Sequence, residues 1–176
     1  MIEYVILGTS HKIQSTSKFD KPVIDAIGRY SVTMVAEEYT NDDVSTACVT
    51  AKRLHIPYLQ VDLYPQEWPE HGIEREMRAR EGEQALREDD CRFPHADRIR
   101  EDFWLERIQA CADGRCVLVI CGYLHVNFLA QRVEESGGTL LEKSAFPAEL
   151  IQREPTMVLS PLELEEYLRK RGGTGV

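Results

Sequence analysis

The chain has 176 residues, 43% of them hydrophobic and 29% charged, the proportions of an ordinary globular protein rather than a disordered one. Its net charge of −9 argues against a nucleic-acid backbone or an anionic membrane surface as the main partner. No apolar run reaches the ~18 residues of a membrane span, and no basic segment followed by an apolar one precedes the first strand. Neither a membrane anchor nor a signal peptide is therefore expected.

Read in chain order, Tyr4-Val-Ile-Leu-Gly8-Thr-Ser-His11 is a continuous apolar run that ends on a glycine and delivers a histidine three residues later. Apolar runs without polar alternation belong to strands covered on both faces, as in a parallel sheet. The glycine is expected to let the backbone turn sharply at the strand's end. Lys12 to Phe19 is a polar loop near the mouth of any crevice there. Asp20 then caps a short helix with Val23, Ile24 and Ile27 inward and Gly28 as its stop. Ser31 to Ala36 forms the second buried strand and runs straight into Glu37-Glu38.

Val44, Ala47, Cys48, Ala51 and Leu54 recur at helical spacing between Asn41, the expected cap, and His55. Ile56-Pro57 breaks that helix, and Tyr58 to Val61 make a third strand ending at Asp62. His55, at the helix's end, is read as structural. Tyr64 to Ile73 is a loop with Trp68 and His71, and residues 74–90 are dense in Glu and Arg, laced by pairs such as Glu74 and Arg78. Residues 64–98 are thus a loop plus a charged helical insertion. A longer helix from about Ala96 to Ala112 carries Ile99, Phe103, Ile108 and Ala112 on one face, with Arg100 one position from that stripe and Gly114 as the stop.

Cys116-Val-Leu-Val-Ile-Cys-Gly-Tyr-Leu-His125 repeats the opening plan of buried strand, glycine, two residues, histidine. With 11 Gly and 5 His, chance alone gives roughly a third of one such match, so two matches, each following a strand, mark a shared site. A helix from about Val126 to Glu135 follows, with Phe128, Leu129 and Val133 inward and Gly137-Gly138 as its stop. Thr139 to Leu141 is a short last strand, and Ser160-Pro-Leu-Glu163 reads as a capping box opening a terminal helix. The five cysteines, an odd number without a secretory signal, fit reduced thiols in a cytoplasmic protein and are all read as small core hydrophobes.

Strand and helix alternate throughout, which predicts a single α/β domain over residues 1–176. Its fold is a doubly wound, mainly parallel sheet with helices on both faces. In the usual strand order the first strand lies between the second and the fourth, so that His11 and His125 occupy adjacent loops and Glu37 or Glu38 stands on the far side of His11. Two imidazoles and a carboxylate facing one crevice either hold a divalent metal with open positions, His11, Glu37 and His125 being the ligands, or work without metal as a base with an orienting carboxylate. Nitrogen and oxygen ligands without thiolate point to Mn, Fe, Co, Ni or Zn.

Leu7-Gly-Thr-Ser-His11, the Glu after the second strand, Arg100-Glu101 in the long helix and Gly122-Tyr-Leu-His125 together resemble the superfamily that joins TraB, the Tiki proteases, ChaN and the erythromycin esterases. The resemblance covers most of the chain as spaced motifs, and it implies a shared site of His11, Glu37 or Glu38, Arg100 and His125. Tyr123-Leu124 departs from the small residues common in the second motif, and the chain is short for the group. Some members resemble metal-dependent peptidases, the esterases resemble metal-independent hydrolases, and ChaN resembles a haem-binding protein. The leading expectation is a small cytoplasmic hydrolase of ester or peptide bonds, acting on a small molecule or peptide, with Arg100 fixing a substrate carboxylate or an oxyanion. The alternatives are a non-catalytic protein that binds haem or another small molecule in the same crevice, and an interaction protein acting through residues 74–90.

Overall fold

The computed structural model describes residues 1–38, 44–78, 91–112, 114–153, 157–158, 162–163, 165–166 and 169. Five parallel strands form the main sheet: β1 (Glu3–Thr9), β2 (Met34–Glu37), β3 (Tyr58–Gln60), β5 (Cys116–Gly122) and β6 (Thr139–Phe146). A separate pair joins β4 (Cys91–Arg92) to β7 (Met157–Val158). The helices are α1 (His11–Gln14), α2 (Asp20–Tyr30), α3 (Thr46–Arg53), α4 (residues 74–78), α5 (Pro94–Cys111) and α6 (Val126–Glu135). This is the α/β architecture read from the alternation of strand and helix.

The strand order is β3-β2-β5-β1-β6, which differs from the expected order in one respect. β5 lies between β1 and β2, where β1 was expected. The physical reason lies in burial: every residue of β5 is buried, so the most uniformly apolar strand takes the centre, flanked by β1 and β2. The half-exposed β3 and β6 form the edges. Adjacent loops for His11 and His125 survive the change, because β1 and β5 still pair along seven residues from Glu3↔Cys116 to Thr9↔Gly122.

Alternation along each strand divides the core in two. Val5, Leu7, Val35, Leu118 and Ile120 face Phe19, Val23 and Ile27 near and on α2, and Ala47 and Ala51 on α3. Tyr4, Ile6, Met34, Ala36, Val117, Val119 and Cys121 face Trp104, Leu105 and Ile108 of α5 and Val126, Leu129 and Val133 of α6. Each fully buried Val, Leu, Ile, Met or Phe among them contributes roughly 1.5–3 kcal/mol against leaving it in water. A third cluster, Leu63, Trp68, Ile73, Met77, Phe93 and Ala96, folds the loop after β3 and α4 against the start of α5.

Several local expectations are corrected. α2 runs through Gly28 to Tyr30 and closes at Ser31 in the left-handed region (φ 52°), which delays β2 to Met34. Asp20 accepts from Thr50 (2.6 Å) and Arg53 (3.0 Å) on α3 rather than capping α2. α3 begins at Thr46, capped by Ser45, whose side chain accepts from the Cys48 amide; Asn41 lies outside the described residues. Ile24, Val44, Leu54 and Phe128 are exposed, as is Cys111, while Cys48, Cys116 and Cys121 are buried. β6 extends to Phe146, well past Leu141. Glu74 and Arg78 do pair, at 2.8 Å, whereas 79–90 and Ser160-Pro161 lie outside the described residues. No described helix is long and apolar enough to cross a membrane.

Candidate functional site

The connection after β1 leads to α2 on one face of the sheet, and the connection after β5 leads to α6 on the other. A crevice opens at the carboxyl ends of such neighbouring strands. His11 starts α1 two residues past β1, and His125 ends a 3-10 turn, Tyr123–His125, directly past β5. Gly8 lets the two connections pack: a Cβ there would stand 2.3 Å from Val126 Cγ2 and 3.0 Å from Tyr123 Cα. Neither motif glycine is among the residues with positive φ, so close approach, not a sharp turn, accounts for Gly8.

Parity along β2 settles the roles of the two glutamates. Val35 faces α2 and α3 while Met34 and Ala36 face α5 and α6, so Glu37 continues toward α3 and Glu38 toward α5 and the crevice. Glu37 accepts from Ser45, from Tyr58 (2.8 Å) and from Gln14 (3.3 Å). Glu38 is the hub. Its Oε1 accepts from Arg100 and lies 3.7 Å from Nε2 of both His11 and His125. Its Oε2 accepts from the Gly122 amide at 2.7 Å. The two imidazole nitrogens are thus separated by no more than twice 3.7 Å, with a carboxylate between them.

Each ring is held from behind. Nδ1 of His125 is 2.7 Å from Glu101 Oε1, and a carboxylate only accepts, so Nδ1 carries a proton, while Nε2 is turned to Glu38 at 3.7 Å and to Asp97 at 3.9 Å. Nδ1 of His11 is 2.7 Å from Gln14 Oε1. The Gln14 amide nitrogen donates to Glu37 and to the Glu38 carbonyl, which fixes its oxygen toward His11 and places a proton on that ring's Nδ1 as well. His125 is buried and meets the Trp104 ring edge-on at 4.9 Å, whereas the side chain of His11 is 32% exposed.

Arg100 enters the crevice as expected, but its guanidinium is occupied. Nε and Nη2 grip Asp62 at 2.9 and 2.7 Å, Nη2 also donates to Glu38, and Nη1 reaches Asp97 at 3.3 Å. Four of its N–H groups are thereby directed at three buried carboxylates, and the side chain is 4% exposed. It fixes Glu38 and is not presented to a substrate carboxylate. Trp104 donates to Asp62 at 2.9 Å, and Arg132 donates to Glu101 at 3.2 Å.

Burial drives the Glu38 carboxyl up, but His125, Arg100 and His11, the imidazoles acting in their protonated form, and the Gly122 amide outweigh it and hold it well below the usual carboxylate range. Glu38 is therefore an anion throughout the physiological range. Burial pushes the Glu37 carboxyl up to about 7 against the opposing hydrogen bonds of Ser45 and Tyr58. Burial raises the Arg100 guanidinium's competitor, its neutral form, yet Asp62 and Glu38 more than restore the cation.

Gln14, Asp62, Asp97, Glu101 and Gly122 complete the site and were not among the expected residues. Asp62 was visible as the polar end of the third strand, and Glu101 as the residue after Arg100. Gln14 carried no signal. Of the remaining histidines, His71 packs on Phe103, His95 contacts Glu76, and His55 occupies a left-handed position after α3. Trp68 is buried with its indole N–H on the Leu63 carbonyl, so the aromatic loop after β3 is packed.

The metal set expected from the sequence does not converge: Glu37 faces Ser45 and Tyr58, and the oxygen that does face both histidines already accepts from a guanidinium. Among the described residues, no group of three or more His, Cys, Asp or Glu is disposed to hold a metal ion. Comparison with protein-family models, curated proteins and solved structures finds no match to this chain.

Proposed function

We propose that the protein is a small hydrolase of ester or peptide bonds that works by imidazole acid–base chemistry around Glu38, a divergent relative of the TraB, Tiki, ChaN and erythromycin esterase group. The observation that carries this reading is the approach of the Nε2 atoms of two imidazoles to one oxygen of a buried carboxylate, each at 3.7 Å, with both rings fixed from behind. Nδ1 of each ring is held in place, and both Nε2 atoms approach the same Glu38 oxygen, that of His125 with Asp97 also 3.9 Å away.

In this reading His11, the partly exposed member, takes a proton from water. Glu38 orients that water and stabilises the imidazolium that forms. Arg100 keeps Glu38 anionic and in place, and Asp62 and Asp97 keep Arg100 in place. His125, held by Glu101, forms the inner wall and interacts with the same Glu38 oxygen. Substrate reaches the site from the His11 side, since Glu38, Arg100 and His125 are each 5% exposed or less. A positioned base contributes about 10²–10⁴-fold to such a reaction. The test is turnover of a panel of generic esters and peptides by the wild type and H11A. Hydrolysis lost in H11A with an unchanged melting temperature supports the proposal, and equal turnover by both proteins refutes it.

A further inference from the structure

Gly122 closes β5 with φ −56° and ψ 137°, angles that every residue type adopts. An added Cβ would meet nothing nearer than 3.4 Å, which is ordinary contact. Unlike Gly8, then, Gly122 has neither a backbone nor a packing reason to lack a side chain. What its missing side chain leaves is an open corner, and the three atoms nearest to it belong to the site: Glu38 Oε2 and His11 Nε2, both at 3.4 Å, and His125 Cδ2 at 3.5 Å. Two of these are hydrogen-bond acceptors, the carboxylate because it is ionised and the imidazole because Gln14 holds its proton on Nδ1. The third wall is the C–H edge of a ring. A corner so lined accepts a small hydrogen-bond donor. An apolar group there, such as an alanine methyl, would fill the space and satisfy neither acceptor.

We propose that the corner over Gly122 seats the attacking water, held between His11 Nε2 and Glu38 Oε2, and that residue 122 is glycine to leave that seat open. This rests on the hydrolase reading above. The water gives one proton to His11 Nε2 while its oxygen bonds to the substrate carbonyl carbon. The bond from that carbon to the leaving oxygen or nitrogen then breaks, and the proton on His11 passes to the leaving group, so the acid and the alcohol or amine depart and the site returns to its starting state. Gly122 is thus a positioning residue acting through its backbone: its N–H fixes Glu38, and its bare Cα admits the water.

The test combines crystal structures of the wild type and G122A with their melting temperatures and their hydrolysis of 4-nitrophenyl acetate. The expected result is an ordered water within hydrogen-bond distance of both His11 Nε2 and Glu38 Oε2 in the wild type and none in G122A. The variant should match the wild-type melting temperature and lose at least about 10²-fold in turnover. Wild-type turnover retained by G122A overturns the inference alone, leaving the hydrolase reading in place. A wild type that hydrolyses nothing overturns both. Should G122A fail to fold, the wild-type structure decides: a well-ordered site without that water overturns the inference, and the water in place supports it.

Discussion

Replacing Glu37 by Gln keeps the shape and most of the hydrogen bonds of the side chain while removing its titration. Burial raises the Glu37 carboxyl from 4.5 to about 7 in the folded protein, so folding favours its neutral form. The stability this provides is fully present below the unfolded value near 4.5 and is lost as pH rises through about 7. At 1.36 kcal/mol per pKa unit, the loss amounts to roughly 3 kcal/mol. Gln at this position loses nothing over the same range. Urea unfolding followed by tryptophan fluorescence, Trp104 being fully buried, gives the stability of both proteins at each pH. The difference, variant minus wild type, should rise by roughly 3 kcal/mol between about pH 4 and about pH 8, because every other titrating group is common to both chains. A difference that stays constant across that range would show that Glu37 ionises like a surface carboxylate and that burial does not raise it.

The two histidines should separate in stability. H125A strips a buried carboxylate, Glu101, of its imidazole partner and opens a space beside Trp104, costing about 3 kcal/mol, whereas H11A, at the open side, costs under about 1 kcal/mol; chemical denaturation measures both. R100M leaves Glu38, Asp62 and Asp97 without their shared cation and should cost about 3–5 kcal/mol in the same assay, while a neutral result would mean that the buried charges are not coupled as described. Ester hydrolysis should survive prolonged treatment with a chelator; loss that is restored by Zn or Mn would return a metal to the site.

The fold was largely legible because its signals are of the kind that periodicity carries: uninterrupted apolar runs for β1 and β5, and amphipathic spacing for α2 and α6. Strand order was not, since the pattern shows that a strand is buried but not which neighbour it takes. The site was partly legible. The paired G-x-x-H spacing located His11 and His125, and the end of β2 offered two glutamates. Alternation puts those two on opposite faces, but which face meets the crevice was not legible: it follows from the packing of Met34 and Ala36, on the Glu38 side, against α5 and α6. α5 was the most deceptive element. Asp97, Arg100, Glu101 and Trp104 all lie on its buried stripe, and a rule that sends charged residues outward assigns that stripe to solvent. The charges are inside because they meet partners from other elements there, Arg100 with Asp62 and Glu38 and Glu101 with His125 and Arg132, an arrangement that only the approach of β2, β3 and α6 creates.

If His11 and His125 act as one unit through Glu38, the rates of H11A, H125A and the double variant on one hydrolysed ester reveal it. Groups that act as a unit are non-additive. The prediction is therefore that both single variants and the double fall to the same residual rate. A single variant that keeps the wild-type rate, or a double whose loss equals the product of the two single losses, would contradict it.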